Sequence, residues 1–130
     1  MTATTVLIVE DDVDMRALLR DALEHAGYRV IGRRDGLHLP ALVESEHFDV
    51  VILDKELPGP NGFALLTFLR ERRPAVPVIL ITAFGGPTAR NEAVRRGAYG
   101  YVEKPFGTRT ILEMLATATR RLEEEPGTPA

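Results

Sequence analysis

A doubly wound α/β domain, with a parallel sheet covered by helices on both faces, is the fold class that three observations in this sequence predict. Short unbroken apolar runs recur along the chain: Val6-Leu7-Ile8-Val9, Val50-Val51-Ile52-Leu53 and Val78-Ile79-Leu80-Ile81. Such runs read as strands buried on both faces. Segments of helix length with apolar residues at helical spacing lie between them, which argues strand–helix–strand units. Each run also stops at a residue with chemistry to offer, namely Glu10-Asp11-Asp12, Asp54 and Thr82, with Lys104-Pro105 further on. In open α/β sheets ligands bind outside the carboxyl ends of the strands, so these residues are expected in one crevice.

The elements follow in order. After the first strand, Met15, Leu18, Leu19, Ala22, Leu23 and Ala26 keep helical spacing, Asp12 or Asp14 can cap the start, and Gly27 supplies a stop. Arg29 to Arg33 reads as a weak second strand and Asp35-Gly36 as a turn. A short helix is expected from Leu39 to Ser45, with Pro40 tolerated only in its first turn. Phe48 to Leu53 is the third strand. Pro58-Gly59-Pro60-Asn61-Gly62 forms a loop, and a helix from Phe63 to Arg72 ends before Pro74. Strand four follows Pro77, and Phe84-Gly85-Gly86-Pro87 is another loop. A helix from Ala89 to Arg96 stops at Gly97, Tyr99 to Val102 is the fifth strand, and Thr108 to Leu122 is a last amphipathic helix. Right-handed crossovers leave few topologies for such units. The expectation is a flavodoxin-like sheet of five parallel strands in order 2-1-3-4-5 with five helices, and a crevice between strands one and three. That order sets Glu10 and Asp11 beside Asp54.

Length and composition bound the rest. A chain of 130 residues is one domain. It is expected over residues 1–122, with 123–130 a disordered tail or truncated linker, because Glu123-Glu124-Glu125-Pro126-Gly127-Thr128-Pro129-Ala130 has nothing apolar to bury. The net charge of −3 gives no basic footprint for nucleic acid. Without cysteine there is neither a disulfide framework nor thiolate chemistry, in keeping with a cytoplasmic setting. No basic-then-apolar leader and no run long enough to span a membrane occurs.

Each site residue has a plain explanation when taken alone. Acids gather at helix N-termini because the dipole favours them, Asp54 suits a turn after a strand, Thr82 suits a locally satisfied hydroxyl, and Lys104 suits a solvated charge. Taken together they read differently. Three carboxylates at neighbouring strand ends repel one another, and a hard cation with oxygen ligands, Mg²⁺ rather than Ca²⁺, relieves the repulsion. Asp54 is then the best-placed carboxylate nucleophile, able to form an aspartyl phosphate, and the Lys104 ammonium would neutralise a carboxylate or phosphoryl oxygen.

At this point the chain resembles the receiver domain of two-component response regulators. The resemblance rests on Val6-Leu7-Ile8-Val9-Glu10-Asp11-Asp12, Leu53-Asp54 with Leu57-Pro58-Gly59-Pro60-Asn61-Gly62, Ile81-Thr82-Ala83, and Gly97-Ala98-Tyr99-Gly100-Tyr101-Val102-Glu103-Lys104-Pro105-Phe106, and spans residues 5 to 122. It implies a signalling module that catalyses its own phosphorylation and dephosphorylation and is not a conventional metabolic enzyme. By the resemblance, Asp54 is the phospho-acceptor, supplied by a histidine kinase or a histidine phosphotransfer protein. Glu10, Asp11, Asp54 and the backbone carbonyl of Glu56 are implied ligands of Mg²⁺ (or Mn²⁺). Thr82 is the implied switch hydroxyl, Ala83 the small residue beside it, and Lys104 the phosphoryl contact, with Pro105 expected cis. Tyr101 is the implied switch aromatic, admitted to space that Thr82 vacates; without the resemblance it reads as a partly buried ring with its hydroxyl in water. A homodimer through helix 4, strand 5 and helix 5 is possible by the same analogy, and the domain itself is not expected to bind nucleic acid or membrane.

Departures from the family pattern sharpen the expectations. Lys55 follows the acceptor and reads as a solvated side chain, while Glu56, two residues after Asp54, is expected to alter attack by water on a phosphoryl group. Pro40 should leave the second helix short or displaced. His25, His38 and His47 lack ligand spacing. Two other readings stay open. A haloacid-dehalogenase-type phosphatase also forms an aspartyl phosphate, but it needs a second aspartate where Glu56 stands, and a cap domain. A degenerate receiver that only binds partners would not require the intact set of Glu10, Asp11, Asp54, Thr82 and Lys104.

Overall fold

The computed structural model describes residues 3–127. Its elements alternate as β1 (Thr5–Val9), α1 (Val13–His25), β2 (Arg29–Arg33), α2 (Leu39–Ser45), β3 (Val50–Asp54), α3 (Gly62–Arg72), β4 (Val78–Thr82), α4 (Pro87–Arg95), β5 (Gly100–Glu103) and α5 (Thr108–Gly127). The five strands form one parallel sheet in order β2-β1-β3-β4-β5.

The period of two along each central strand sorts the core into two layers. Leu7, Val9, Val51, Leu53, Val78 and Leu80 face one side, where they pack with Leu42 of α2 and Leu66 and Leu69 of α3. Val6, Ile8, Val50, Ile52, Ile79 and Ile81 face the other, against Leu19 and Leu23 of α1 and Ile111 and Leu115 of α5. Burial on both faces is why β3 and β4 carry no polar residue before their last position, and β1 none after Thr5 at its start. The outer strand β2 lies at the sheet edge, and its terminal Arg29 and Arg33 are exposed, charges that discourage edge-to-edge pairing.

Boundaries differ from expectation at several places, each with a local cause. Phe48 is buried but precedes β3, which starts at Val50; its ring packs in the core layer shared with α2 and α3, while its backbone stays outside the ladder. Helix α4 begins at Pro87, which suits a first helical turn. Helix α2 is short, with Pro40 in its opening turn and no side-chain cap. Helix α5 continues to Gly127 through glutamates that are good helix formers, into the stretch expected as a tail; residues 128–130 lie outside the described residues. Among the described residues no helix is long and apolar enough to cross a membrane.

Candidate functional site

Strand order brings the polar strand ends together. Glu10 follows β1, Asp54 ends β3, Thr82 ends β4 and Lys104 follows β5. The ladder continues past the strands to fix these backbones: the Glu10 amide donates to the Arg33 carbonyl (2.9 Å), the Lys55 amide to Ile81 (2.8 Å) and the Lys104 amide to Thr82 (2.7 Å). The Lys104–Pro105 peptide is cis.

Glu10, Asp11 and Asp54 each offer a carboxylate oxygen, and these oxygens lie within 4.8 Å of one another. Glu10 and Asp54 are buried while Asp11 is exposed, so the cluster opens to solvent on the Asp11 side. The Lys104 ammonium bridges the two buried acids, at 2.9 Å from Glu10 Oε1 and 3.4 Å from Asp54 Oδ2. Burial, and then a shared hydrogen bond with Asp54, push the Glu10 carboxyl above its usual range despite this lysine. Burial by itself lowers Lys104, but the bonds to Glu10 and Asp54 outweigh it and hold the ammonium above its usual range. An all-oxygen, twice-buried, open-sided set fits a small hard divalent cation.

Surrounding groups hold the acids in place. Asp12 caps α1, accepting from the amides of Asp14 (2.9 Å) and Met15 (3.0 Å), and its own amide donates to Glu10 Oε2 (3.1 Å). Arg16, one turn along α1, donates to the Glu10 carbonyl at 2.6 Å. The Glu56 amide donates to Asp54 Oδ1 at 3.0 Å. Gly62 lets α3 start directly against this loop: a Cβ there would run into Lys55 Cα and lie 2.6 Å from the Asp54 carbonyl oxygen.

A family model described as "Response regulator receiver domain" matches residues 6–116. The chain belongs to that family. Receiver domains are the signal-receiving modules of two-component systems. The transcriptional regulatory protein TcrA of Mycobacterium tuberculosis is 37% identical over 121 residues, a match covering 93% of this chain and 48% of TcrA. The response regulator protein FleR of Pseudomonas aeruginosa is 38% identical over 114 residues, covering 88% of this chain and 24% of FleR. The chain thus spans half or less of these curated relatives. Among solved structures, the CheY-like receiver domain protein of Methanospirillum hungatei JF-1 superposes with a TM-score of 0.90 at 27% identity, over 95% of this chain and 99% of that one.

Two side chains sit differently from their expected settings, and Glu56 makes contacts that its position alone did not reveal. Lys55 is not a free solvated charge. Its ammonium lies 2.9 Å from Glu56 Oε2 and over the Phe63 ring at 5.5 Å. The Glu56 carboxylate in turn accepts from the Thr82 hydroxyl (2.6 Å) and the Ala83 amide (2.8 Å). Burial raises the Glu56 carboxyl, but the Thr82, Lys55 and Ala83 contacts outweigh it and leave the group below its usual range. Tyr101 is buried to the hydroxyl, which has no hydrogen-bond partner among the described residues, and Arg90 of α4 stacks on its ring at 4.9 Å. Burial, then the Glu103 charge, push this phenol upward. Sequence reasoning also missed Glu103, which accepts from the Gly86 amide (2.9 Å) and so ties down the entry to α4. Carboxylates beside these loops were the available signal, but side-chain reach across neighbouring strands is not written in spacing.

Proposed function

We propose that this receiver domain takes a phosphoryl group onto Asp54 from the phosphohistidine of a histidine kinase or a histidine phosphotransfer protein. The carrying observation is a buried carboxylate at a strand end, bonded to an ammonium and set within 4.8 Å of two further carboxylates. In the transfer, an Asp54 oxygen forms a bond to phosphorus. The bond from phosphorus to the imidazole nitrogen breaks, and its electron pair remains on that nitrogen. Water later attacks phosphorus, releasing inorganic phosphate and restoring the carboxylate.

Glu10, Asp11, Asp54 and the Glu56 backbone carbonyl would hold Mg²⁺ (or Mn²⁺), which when bound supplies positive charge to the phosphoryl oxygens and the carboxylate cluster. The remaining work falls to this chain's own groups. Lys104 exchanges its contact with Asp54 for a phosphoryl oxygen, and the Glu56 amide, already on Asp54 Oδ1, orients the acceptor. Thr82 turns toward the new oxygens, and its movement is read out through Tyr101 and Arg90 on the surface of α4, β5 and α5. Exposed Phe84 and Val94 give the region around α4 an apolar character suited to a partner or a second copy of the chain. The module works in the cytoplasm and binds no nucleic acid itself, in keeping with a net charge of −3.

The test is chemical. After incubation with phosphoramidate and Mg²⁺, borohydride reduction should convert residue 54 alone into homoserine, and chelator should abolish the conversion. Reduction at another carboxylate, or none in the presence of Mg²⁺, would refute the assignment.

A further inference from the structure

We propose that the Glu56 side chain is an internal latch: in the unphosphorylated chain it fills the donors of the β4–α4 turn that an incoming phosphoryl group must use. The proposal rests on the reading of Asp54 as acceptor. Its own support is the arrangement around one carboxylate. The Thr82 hydroxyl and the Ala83 amide donate to Oε2 and Oε1 at 2.6 and 2.8 Å, and the Lys55 ammonium closes on Oε2 at 2.9 Å. A hydroxyl, a backbone amide and an ammonium converging on one anion form an anion site, here occupied by a residue of the chain itself.

The backbone of Glu56 lies on the acceptor while its side chain lies on the neighbouring strand end. Its amide bonds Asp54 Oδ1 at 3.0 Å, and Asp54 pairs with Ile81, the residue before Thr82. The donors claimed by Glu56 therefore border the acceptor. The Thr82 oxygen is further committed, accepting from the Phe84 amide at 3.0 Å. For Thr82 to serve a phosphoryl oxygen, its proton must leave Glu56. Charge-assisted bonds of this length are strong ones, so release opposes phosphorylation until the phosphoryl oxygens compete for the same donors. Glu56 thereby acts as a positioning residue that restrains the unphosphorylated state.

The test compares the wild type with Glu56→Gln and Glu56→Asp. Glutamine removes the charge, whereas aspartate keeps it and is too short to reach both donors. Release of a hydrogen-bonded latch of about 1.4 kcal/mol corresponds to about a tenfold faster phosphorylation by acetyl phosphate with Mg²⁺, expected in both variants. Hydrogen exchange at the Ala83 amide, measured without any phosphoryl donor, should also quicken in both. Acceleration of Glu56→Gln alone would mean simple charge repulsion and overturn the latch. Unchanged Ala83 exchange would overturn it too, whatever the rates. No phosphate adduct on any of the three chains would refute Asp54 as acceptor, and the latch with it.

Discussion

Replacing Lys104 with methionine removes the only cation bonded to two buried carboxylates among the described residues and keeps most of the side-chain volume. The ammonium lies 2.9 Å from Glu10, which is fully buried, and 3.4 Å from Asp54, which is 2% exposed. Breaking a fully buried pair from one side typically costs about 3–5 kcal/mol, because the remaining charge is left uncompensated. Here the lysine side chain is 20% exposed and Asp11 opens the cluster to water, so a loss of about 2–3 kcal/mol is expected without divalent cations. For a domain of this size that is roughly an 8–12 °C fall in Tm. The effect must depend on pH in one direction. Glu10 already sits above its usual 4.5, so the stability it contributes is complete below pH 4.5 and is lost as pH rises through its folded value. Methionine raises Glu10 further, so the deficit should be largest near neutrality and shrink toward pH 4.5. The Lys104 share of wild-type stability, in contrast, persists until pH rises past 10.5 through its own raised value. Urea unfolding of both chains in chelator across this range measures the difference. A deficit under about 0.5 kcal/mol at neutral pH, or one that stays flat down to pH 4.5, would refute the argument.

Two further predictions use the surroundings of the site. Gly62→Ala forces a Cβ against the backbone of Lys55 and the Asp54 carbonyl, neither of which can swing aside. A loss of about 1–3 kcal/mol is expected in urea unfolding, together with slower phosphorylation because the end of β3 at Asp54 and the loop carrying Glu56 must shift. Tyr101→Phe deletes a buried hydroxyl without a partner among the described residues, so stability should stay within about 1 kcal/mol of wild type or rise; a larger loss would reveal a bond to that oxygen.

The sheet was legible because its strands are buried on both faces, leaving Val6–Val9, Val50–Leu53 and Val78–Ile81 as unbroken apolar runs between helical patterns. Crossover rules left few strand orders, and the flavodoxin-like order expected among them is the one observed; with it came the meeting of Glu10, Asp11, Asp54, Thr82 and Lys104 at one end of the sheet. Phe48 was assigned to a strand because apolar character does not separate a ladder residue from a core plug. The reach of α5 to Gly127 was hidden by the absence of apolar periodicity past Leu122. Least visible were side-chain commitments. Lys55 and Glu56 read as neighbours in a loop, yet the geometry ties one to the other and the second to Thr82 and Ala83. Such bonds depend on rotamer and register, which local sequence does not encode.

Intact mass before and after incubation with acetyl phosphate and Mg²⁺, on the wild type and on Asp54→Asn, tests the central claim most directly. The account predicts a single adduct of about 80 Da on the wild type and none on Asp54→Asn. An equal adduct on both chains would move the acceptor elsewhere. No adduct on either would contradict a phosphoryl-accepting receiver and leave a domain that only binds partners.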